Sequence, residues 1–348
     1  MPAETVQSPA EPDAPTQPRR RAAPFVVFSV AFVVLACLAV ISLALGSKPL
    51  SVTEVLTGLL AHDDSAESVI VWELRMPRTA LAVTVGAALA VAGVLMQALT
   101  RNPLAEPGVL GVNAGASLTV VLAMALFGVA STSATIWFAF FGAALASGFV
   151  YAVSLRSFHD SDHARLVLAG AALTACLSSF TGVITMYDTE VFSSYRFWVI
   201  GSVADRGTDP LFAVAPPVAV GLLAALACCP MLNVLALGDE QATSLGARLP
   251  VARLATFAAI TVLCGAATAA AGPISFIGLV VPHTLRLVMK ADQRRLLGAS
   301  IVVGPALMLA ADVVGRVITP PGELEVGIVT AFIGAPVLLL LIQRRNQR

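Results

Sequence analysis

The sequence predicts an all-α, polytopic membrane protein, and three observations predict it. Of its 348 residues, 57% are hydrophobic and only 12% charged, far from the composition of soluble domains. Charge is missing from long runs, several of them of roughly 20 residues or more, the length a helix rising about 1.5 Å per residue needs to cross a hydrocarbon core of roughly 30 Å. The basic residues, finally, crowd onto alternate connections between those runs. Backbone polar groups in hydrocarbon need partners within their own segment, so charge-free runs of this length read as helices.

Taken in order, residues 1–24 carry Pro2, Pro9, Pro12, Pro15, Pro18 and Pro24 among Ala, Glu and Gln. They hold too little apolar surface to offset the entropy of ordering, and a disordered cytoplasmic tail is expected. Arg19, Arg20 and Arg21 precede the run 25–46 like the start of a secretory signal. The run is long and lacks a convincing small-x-small cleavage site, so it reads as an uncleaved first span. The runs 25–46, 79–100, 166–187 and 211–238 contain no Asp, Glu, Lys or Arg and supply one span each. The run 107–155 is interrupted between Ser131 and Thr135 and must fold back as two spans. The run 254–285 breaks at Gly272-Pro273, because proline lacks an N–H and restricts the residue before it. With 296–311 and 326–342 the expected total is ten helices in a membrane domain over 25–345, followed by a short cytoplasmic end, 346–348.

Ten crossings put both termini on one side. Starting inside, the inner connections and tails hold 14 basic residues and the outer ones 6, with Arg286 near an inner helix end. The positive-inside rule therefore places both termini in the cytoplasm. The 5 cysteines, at 37, 176, 228, 229 and 264, fall in or at the ends of apolar runs and read as small buried hydrophobes.

Small residues are abundant in the spans, as in GAALAVAG at 86–93 and GAATAAAG at 265–272. Such residues let helix backbones approach closely where lipid removes the hydrophobic drive. The two strings share a pattern on helices of opposite direction, consistent either with an inverted repeat or with shared composition. No G-x-x-x-x-G-K-[ST] phosphate loop occurs, so energy for any transport comes from a partner or an ion gradient. Ion-coupled carriers, the rival class, usually keep ionisable residues within their spans, and here the helix centres are empty of them. Nothing in the chain resembles a nucleophile with its base, a catalytic carboxylate pair or a nucleic-acid stripe.

Distinctive strings sit instead at helix ends: LRMPRT at 74–79, RNPLAEPG at 101–108 running into VLGVNAGAS, FIGLVVPH at 276–283, ADVVGR at 311–316 and VGIVTAFIGAP at 326–336. With GAALAVAG they resemble, in order, the iron-siderophore, haem and vitamin B12 permease family (FecCD type, type II ABC importers), over roughly residues 25–345. The resemblance implies two identical or similar ten-helix permeases with a pathway at their interface. Two cytoplasmic ATP-binding subunits would lie below and an extracytoplasmic binding protein above. The chain would then be a transport subunit rather than an enzyme, with ferric siderophore as first choice of substrate and haem or vitamin B12 as alternatives. Iron would arrive inside its chelate, so neither a cofactor nor a protein-bound metal is expected.

The resemblance also assigns surfaces. Within about 231–253, ALGDEQATSLGA at 236–247 resembles the coupling loop that meets the ATPase, with Asp239, Glu240, Leu245 and Gly246 as contacts. Physically, acidic residues suit the first turn of a short helix and Gly246 can end it in a left-handed conformation. An ordinary inner loop would read the same without the neighbouring strings. On the outer side, Arg75, Arg78 and Arg316 match arginines that receive acidic residues of the binding protein, and a guanidinium holds a carboxylate bidentately. For Arg316 a local pair with Asp312, four residues away, explains the same residue. Asn102 and Leu104 match residues that close the cytoplasmic end of the pathway. Asp162 and His163 occupy the second closure, although His159-Asp160-Ser161-Asp162-His163 departs from the small hydroxyl residues expected there. That segment reads as a solvated loop rather than a metal site. Between Asp188 and Asp209, Tyr195 and Trp198 suit either a half-helix at the pathway entrance or an interfacial anchor.

Overall fold

The computed structural model describes residues 24–46, 50–61, 63, 65–128, 131–154, 162–289, 292–319 and 322–346. The tail before Pro24, the loop residues His159 and Asp160, and the last two residues lie outside the described residues. The described elements are all helical. They run α1 (Pro24–Ala44), α2 (Val52–Ala61), α3 (Ala66–Val69), a π-helical turn (Ile70–Arg75), α4 (Met76–Leu99) and α5 (Val112–Phe127). Then come α6 (Thr132–Ser154), α7 (Asp162–Tyr187), α8 (Thr189–Val199), α9 (Asp209–Leu235) and α10 (Asp239–Ser244). Last are α11 (Leu249–Ala271), α12 (Ile277–Val288), α13 (Gln293–Ile318) and α14 (Val326–Asn346).

Seven of these stretches are long and apolar enough to cross a membrane, and the shorter apolar helices include α5, α12 and the body of α14. Together they fall on the ten expected runs. The two boundaries that differ most do so because charge is buried between helices. The second span is part of one helix from Ala66 to Leu99, not 79–100, since Arg75 is buried. The ninth extends through Asp312 and Arg316 to Ile318, not to 311, because those two side chains pair in the interior.

The core is built around α4, which is buried along almost its whole length and packs against α13, α11, α12 and α9. With no hydrophobic drive between helices in lipid, contact quality decides their association, and small residues permit it. A Cβ added at Gly86 would meet the Gly304 carbonyl oxygen of α13 at 2.9 Å. One added at Gly93 would overlap the Gly278 carbonyl of α12, and α5 crosses α6 in the same way at Gly115 and Gly142. The peripheral helices α1 and α7 are mostly exposed.

Two connections are irregular inside the bundle. One joins α4 to α5 through a 3-10 turn, Pro107–Leu110. The other joins α11 to α12 through Gly272, whose φ of 77° ends α11 ahead of Pro273. Gly278 lies against Gly93, six residues (99 − 93) before α4 ends, so α12 starts about 9 Å or more inside that end of the bundle. Irregular backbone survives at such depth only when protein groups complete its hydrogen bonds. Here the Ser202 N–H donates to Ala271 O at 2.7 Å, and the Phe276 N–H donates to Glu106 Oε1 at 2.7 Å.

Gly93→Ala is expected to force α4 from α12 and to destabilise the fold by about 1–3 kcal/mol, the usual cost of overpacking. Gly298→Ala, whose added Cβ would meet nothing within 4 Å, is expected to leave stability unchanged or slightly raised. Thermal unfolding in detergent, followed by fluorescence, distinguishes the two.

Candidate functional site

Three regions carry the candidate residues: the bundle end that bears α10, the opposite end that bears α8, and a groove between them.

At the α10 end, Gly238, with φ 112°, turns the chain out of α9, and α10 follows. Its C-terminus is closed by two bonds, Ala247 N–H to Ala242 O at 3.0 Å and Gly246 N–H to Thr243 O at 2.9 Å, with Gly246 at φ 82°. This is a Schellman cap, which requires the left-handed residue that glycine supplies. Glu240 and Gly246 face solvent, and Leu245 and Leu237 are 66% and 56% exposed. Asp239 turns the other way. One carboxylate oxygen accepts from Arg101 Nη2 at 2.5 Å and the other from Arg253 Nη2 at 2.5 Å. Behind Arg101, Asn102 Oδ1 accepts the Leu104 N–H at 3.1 Å, an Asx turn that shapes the connection to α5. Close by, Asp292 caps α13. Burial opposes its charge, yet the Arg294 N–H, the Asn233 amide and Arg295 hold its pKa below the usual carboxylate value.

At the opposite end the sequence LRMPRT folds as a π turn running into α4. Pro77 cannot donate a hydrogen bond and crowds the carbonyl one turn back, so the helix widens just ahead of it. The Met76 N–H accordingly reaches Val71 O, five residues back. Arg75 Nη1 then donates to Leu43 O at 2.6 Å and Ala44 O at 2.8 Å. Arg316 Nη1 donates to Ser42 O at 2.8 Å and Leu45 O at 2.9 Å. The two guanidiniums thereby satisfy four carbonyls at the C-terminus of α1, groups that a helix end leaves without intrahelical partners. Asp312 supplies the counter-charge, ion-paired with Arg316 and held bidentately by Arg78, whose Nη2 lies 2.8 Å from it. Arg78 also pairs with Glu323 at 2.6 Å.

Between the two ends, α5, α7 and α8 border an open groove of about 350 Å³ lined by Asn113, Ser117, Thr174, Ser178, Thr181, Thr185 and Tyr195, with no charged side chain on its wall among the described residues. Nearer the α8 end a second groove is lined by Trp198, Ser202, Asp205, Arg206 and Glu325 among others. Among the described residues no group of three or more His, Cys, Asp and Glu is placed to hold a metal ion.

Residues 34–344 match the FecCD transport family. The chain belongs to that family. It is 45% identical, over 88% of its own length and 92% of the relative's, to the ferric enterobactin transport system permease protein FepD of Escherichia coli K12. It is 38% identical to the Fe(3+) dicitrate transport system permease protein FecD of the same organism, over 89% and 96%. It is also 38% identical to the hemin transport system permease protein HmuU of Yersinia pestis, over 80% and 84%. Among solved structures it resembles a chain described as an inward-facing conformation of a transporter of the metal-chelate ABC type. The TM-score is 0.81 at 29% identity, over 92% of this chain and all of that one. The chain is thus an ABC importer permease, and not itself the ATPase.

Of the residues singled out in the sequence, the FecCD permease brings Asp239, Glu240, Leu245 and Gly246 together on α10, with Asp239 alone facing the bundle. Arg75, Arg78 and Arg316 also converge, but inward: Arg75 and Arg316 are 6% and 7% exposed, and the side chain of Arg78 is 12% exposed. The local Asp312–Arg316 pair is present. Asn102 is exposed and Leu104 half-buried on one turn. Asp162 and His163 open α7, and their side chains lie outside the described residues. The hydroxyls of α7 were missed, although Thr174, Ser178, Thr181 and Thr185 are spaced to share one helix face. Ser42 gave no local signal, and Glu106 and Arg101 stood out only as members of the string at 101–108, because each acts through a partner distant in sequence.

Arg316→Ala is expected to destabilise the permease by about 3–5 kcal/mol, as breaking a buried ion pair does. Arg316→Lys is expected to recover little of this, because one ammonium cannot reach Asp312, Ser42 O and Leu45 O together. Thermal unfolding of the detergent-solubilised permease measures both.

Proposed function

We propose that this permease imports ferric siderophore across the bacterial inner membrane, with the α10 end and both termini in the cytoplasm. The observation that carries the substrate class is the 45% identity to a ferric enterobactin permease across 88% of the chain. The relative named for Fe(3+) dicitrate supports the same class. Haem is the second reading, favoured by the relative named for hemin. Vitamin B12 has the support of the family resemblance alone.

In this reading a second permease subunit, identical or similar, completes the pathway, and the largely exposed α7 with its hydroxyl groove faces it. Two ATP-binding subunits engage the exposed Glu240, Leu245 and Gly246 of α10. Asn102 and Leu104 close the cytoplasmic end, with Asp162 and His163 at the second closure. A loaded binding protein docks at the α8 end. There Arg78 is the arginine best placed to receive its carboxylate, by exchanging the more exposed Glu323 for it while Asp312 stays in place. Arg75 and Arg316 support that surface from within by holding the end of α1.

The function is tested in proteoliposomes containing the permease with its ATPase. ATP-driven uptake of ferric enterobactin delivered by the binding protein is expected, and uptake by the permease alone under a proton gradient would overturn the reading. Glu240→Lys combined with Leu245→Asp is expected to reduce ATP-driven uptake more than tenfold, of the order that coupling free energies allow, with the permease still folded; unchanged uptake would remove α10 from the ATPase contact. Arg78→Glu is expected to weaken binding-protein association, and most at low salt where charge attraction reaches furthest. Surface plasmon resonance against the reconstituted transporter checks this.

A further inference from the structure

The α10 end contains an ion pair that contact with an ATPase leaves unexplained. Asp239 begins α10, yet its carboxylate is directed away from the exposed face of that helix and is shared between Arg101 and Arg253. Arg253 lies on α11, so one half of this contact fastens α10 to the bundle. Arg101 opens the connection between α4 and α5, so the other half fastens α10 to the segment that carries Asn102 and Leu104. Arg101 has φ 48°, a left-handed conformation that a non-glycine residue keeps only when its surroundings hold it there. What holds it is the Leu235 carbonyl at the end of α9, at 2.8 Å, and Asp239.

From Arg101 onward the connection is stiff. The Leu104 N–H is bonded to Asn102 Oδ1 and the Ala105 N–H to Asn102 O at 3.1 Å. Pro103 and Pro107 fix their own φ. Glu106 then grips the Phe276 N–H at the start of α12 at 2.7 Å, and Pro107 packs on Gly278 of that helix. A displacement applied at Arg101 is therefore not absorbed within the connection and arrives at α12. Stability is not the reason for the pair: the side chains of Arg101 and Asp239 are 38% and 40% exposed, and pairs so open to water contribute little to folding.

We infer that Asp239 is a positioning residue that ties α10 to the connection 101–111 through Arg101, so that movement of α10 reaches Asn102, Leu104 and α12. The inference rests on α10 being the element an ATPase moves. It replaces an ATPase contact at Asp239 with a link between the coupling helix and the closure of the pathway, while Glu240 and Leu245 keep the outward role.

The test uses the complete transporter, permease with ATPase and binding protein, in a background without the 5 native cysteines and with Leu104→Cys as a reporter. Maleimide labelling of that cysteine is followed before and after trapping with ATP and vanadate, alongside ATP hydrolysis. In the parent transporter, trapping is expected to change the labelling rate about tenfold, within the roughly 5–150-fold range of such couplings. Asp239→Asn and Arg101→Ala are each expected to shrink that change to about twofold or less while hydrolysis continues, so that the two events separate. Asp239→Glu, which can still reach both guanidiniums, is expected to restore it, and Asp239→Asn combined with Arg101→Ala should do no more than either alone. The link is overturned if either single variant keeps the full labelling change. It is also overturned if hydrolysis and labelling are lost in parallel, which makes Asp239 an ATPase contact. A parent transporter that neither hydrolyses ATP nor changes its labelling would instead bring down the importer reading, and this link with it.

Discussion

Backbone groups that water cannot reach set the terms for this structure. Wherever a helix stops or breaks inside a bundle surrounded by lipid, its last carbonyls and first N–H groups need partners from elsewhere in the chain. The C-terminus of α1 receives them from Arg75 and Arg316. The break before α12 receives them from Glu106 on one side and Ser202 on the other. Charged side chains thus lie in the interior because main-chain geometry demands them there, and each brings its own need for a counter-charge. Asp312, almost completely buried between Arg78 and Arg316, meets that need.

The same demand joins the ends of the bundle to its middle. Residues that complete a helix end on one element belong to another element far away in sequence, so the ends cannot move independently. At the α8 end, α1, α4 and α13 are tied through Ser42, Thr79, Arg78 and Arg316. At the α10 end, α9, α10, α11 and the connection to α5 meet at Asp239 and Arg101. Between these knots helix backbones approach closely at glycines, with large side chains such as Leu95, Met96 and Met308 fully buried in the same bundle.

Much of this was legible in the sequence, and the reasons it was or was not are physical. Charge-free length located the helices because burial in lipid penalises charge residue by residue, a local property. The break at Gly272-Pro273 and the turn at Gly246 were legible for the same reason, since each follows from the conformational range of one residue. The arginines of LRMPRT were legible as unusual but not in direction. Arg75 turns inward to the Leu43 and Ala44 carbonyls and Arg78 to Asp312, partners that lie 31 or more positions away in the sequence. Asp239 was read as an ATPase contact because the string at 236–247 resembles the coupling loop. The arginines that claim it are 138 and 14 positions away.

If the proposed pathway runs along the hydroxyl wall of α5, α7 and α8, that wall bears on selectivity. Asn113, Ser117, Thr174, Ser178, Thr181, Thr185 and Tyr195 offer many weak donors and acceptors, and no fixed charge among them can hold a chelate of either sign. A surface of that kind lets a large polar complex pass by exchanging one modest hydrogen bond for the next, so that no single position becomes a trap. It also discriminates poorly between complexes of similar size. On the proposed reading, recognition of the cargo belongs to the protein that delivers it, and one passage can serve several deliverers.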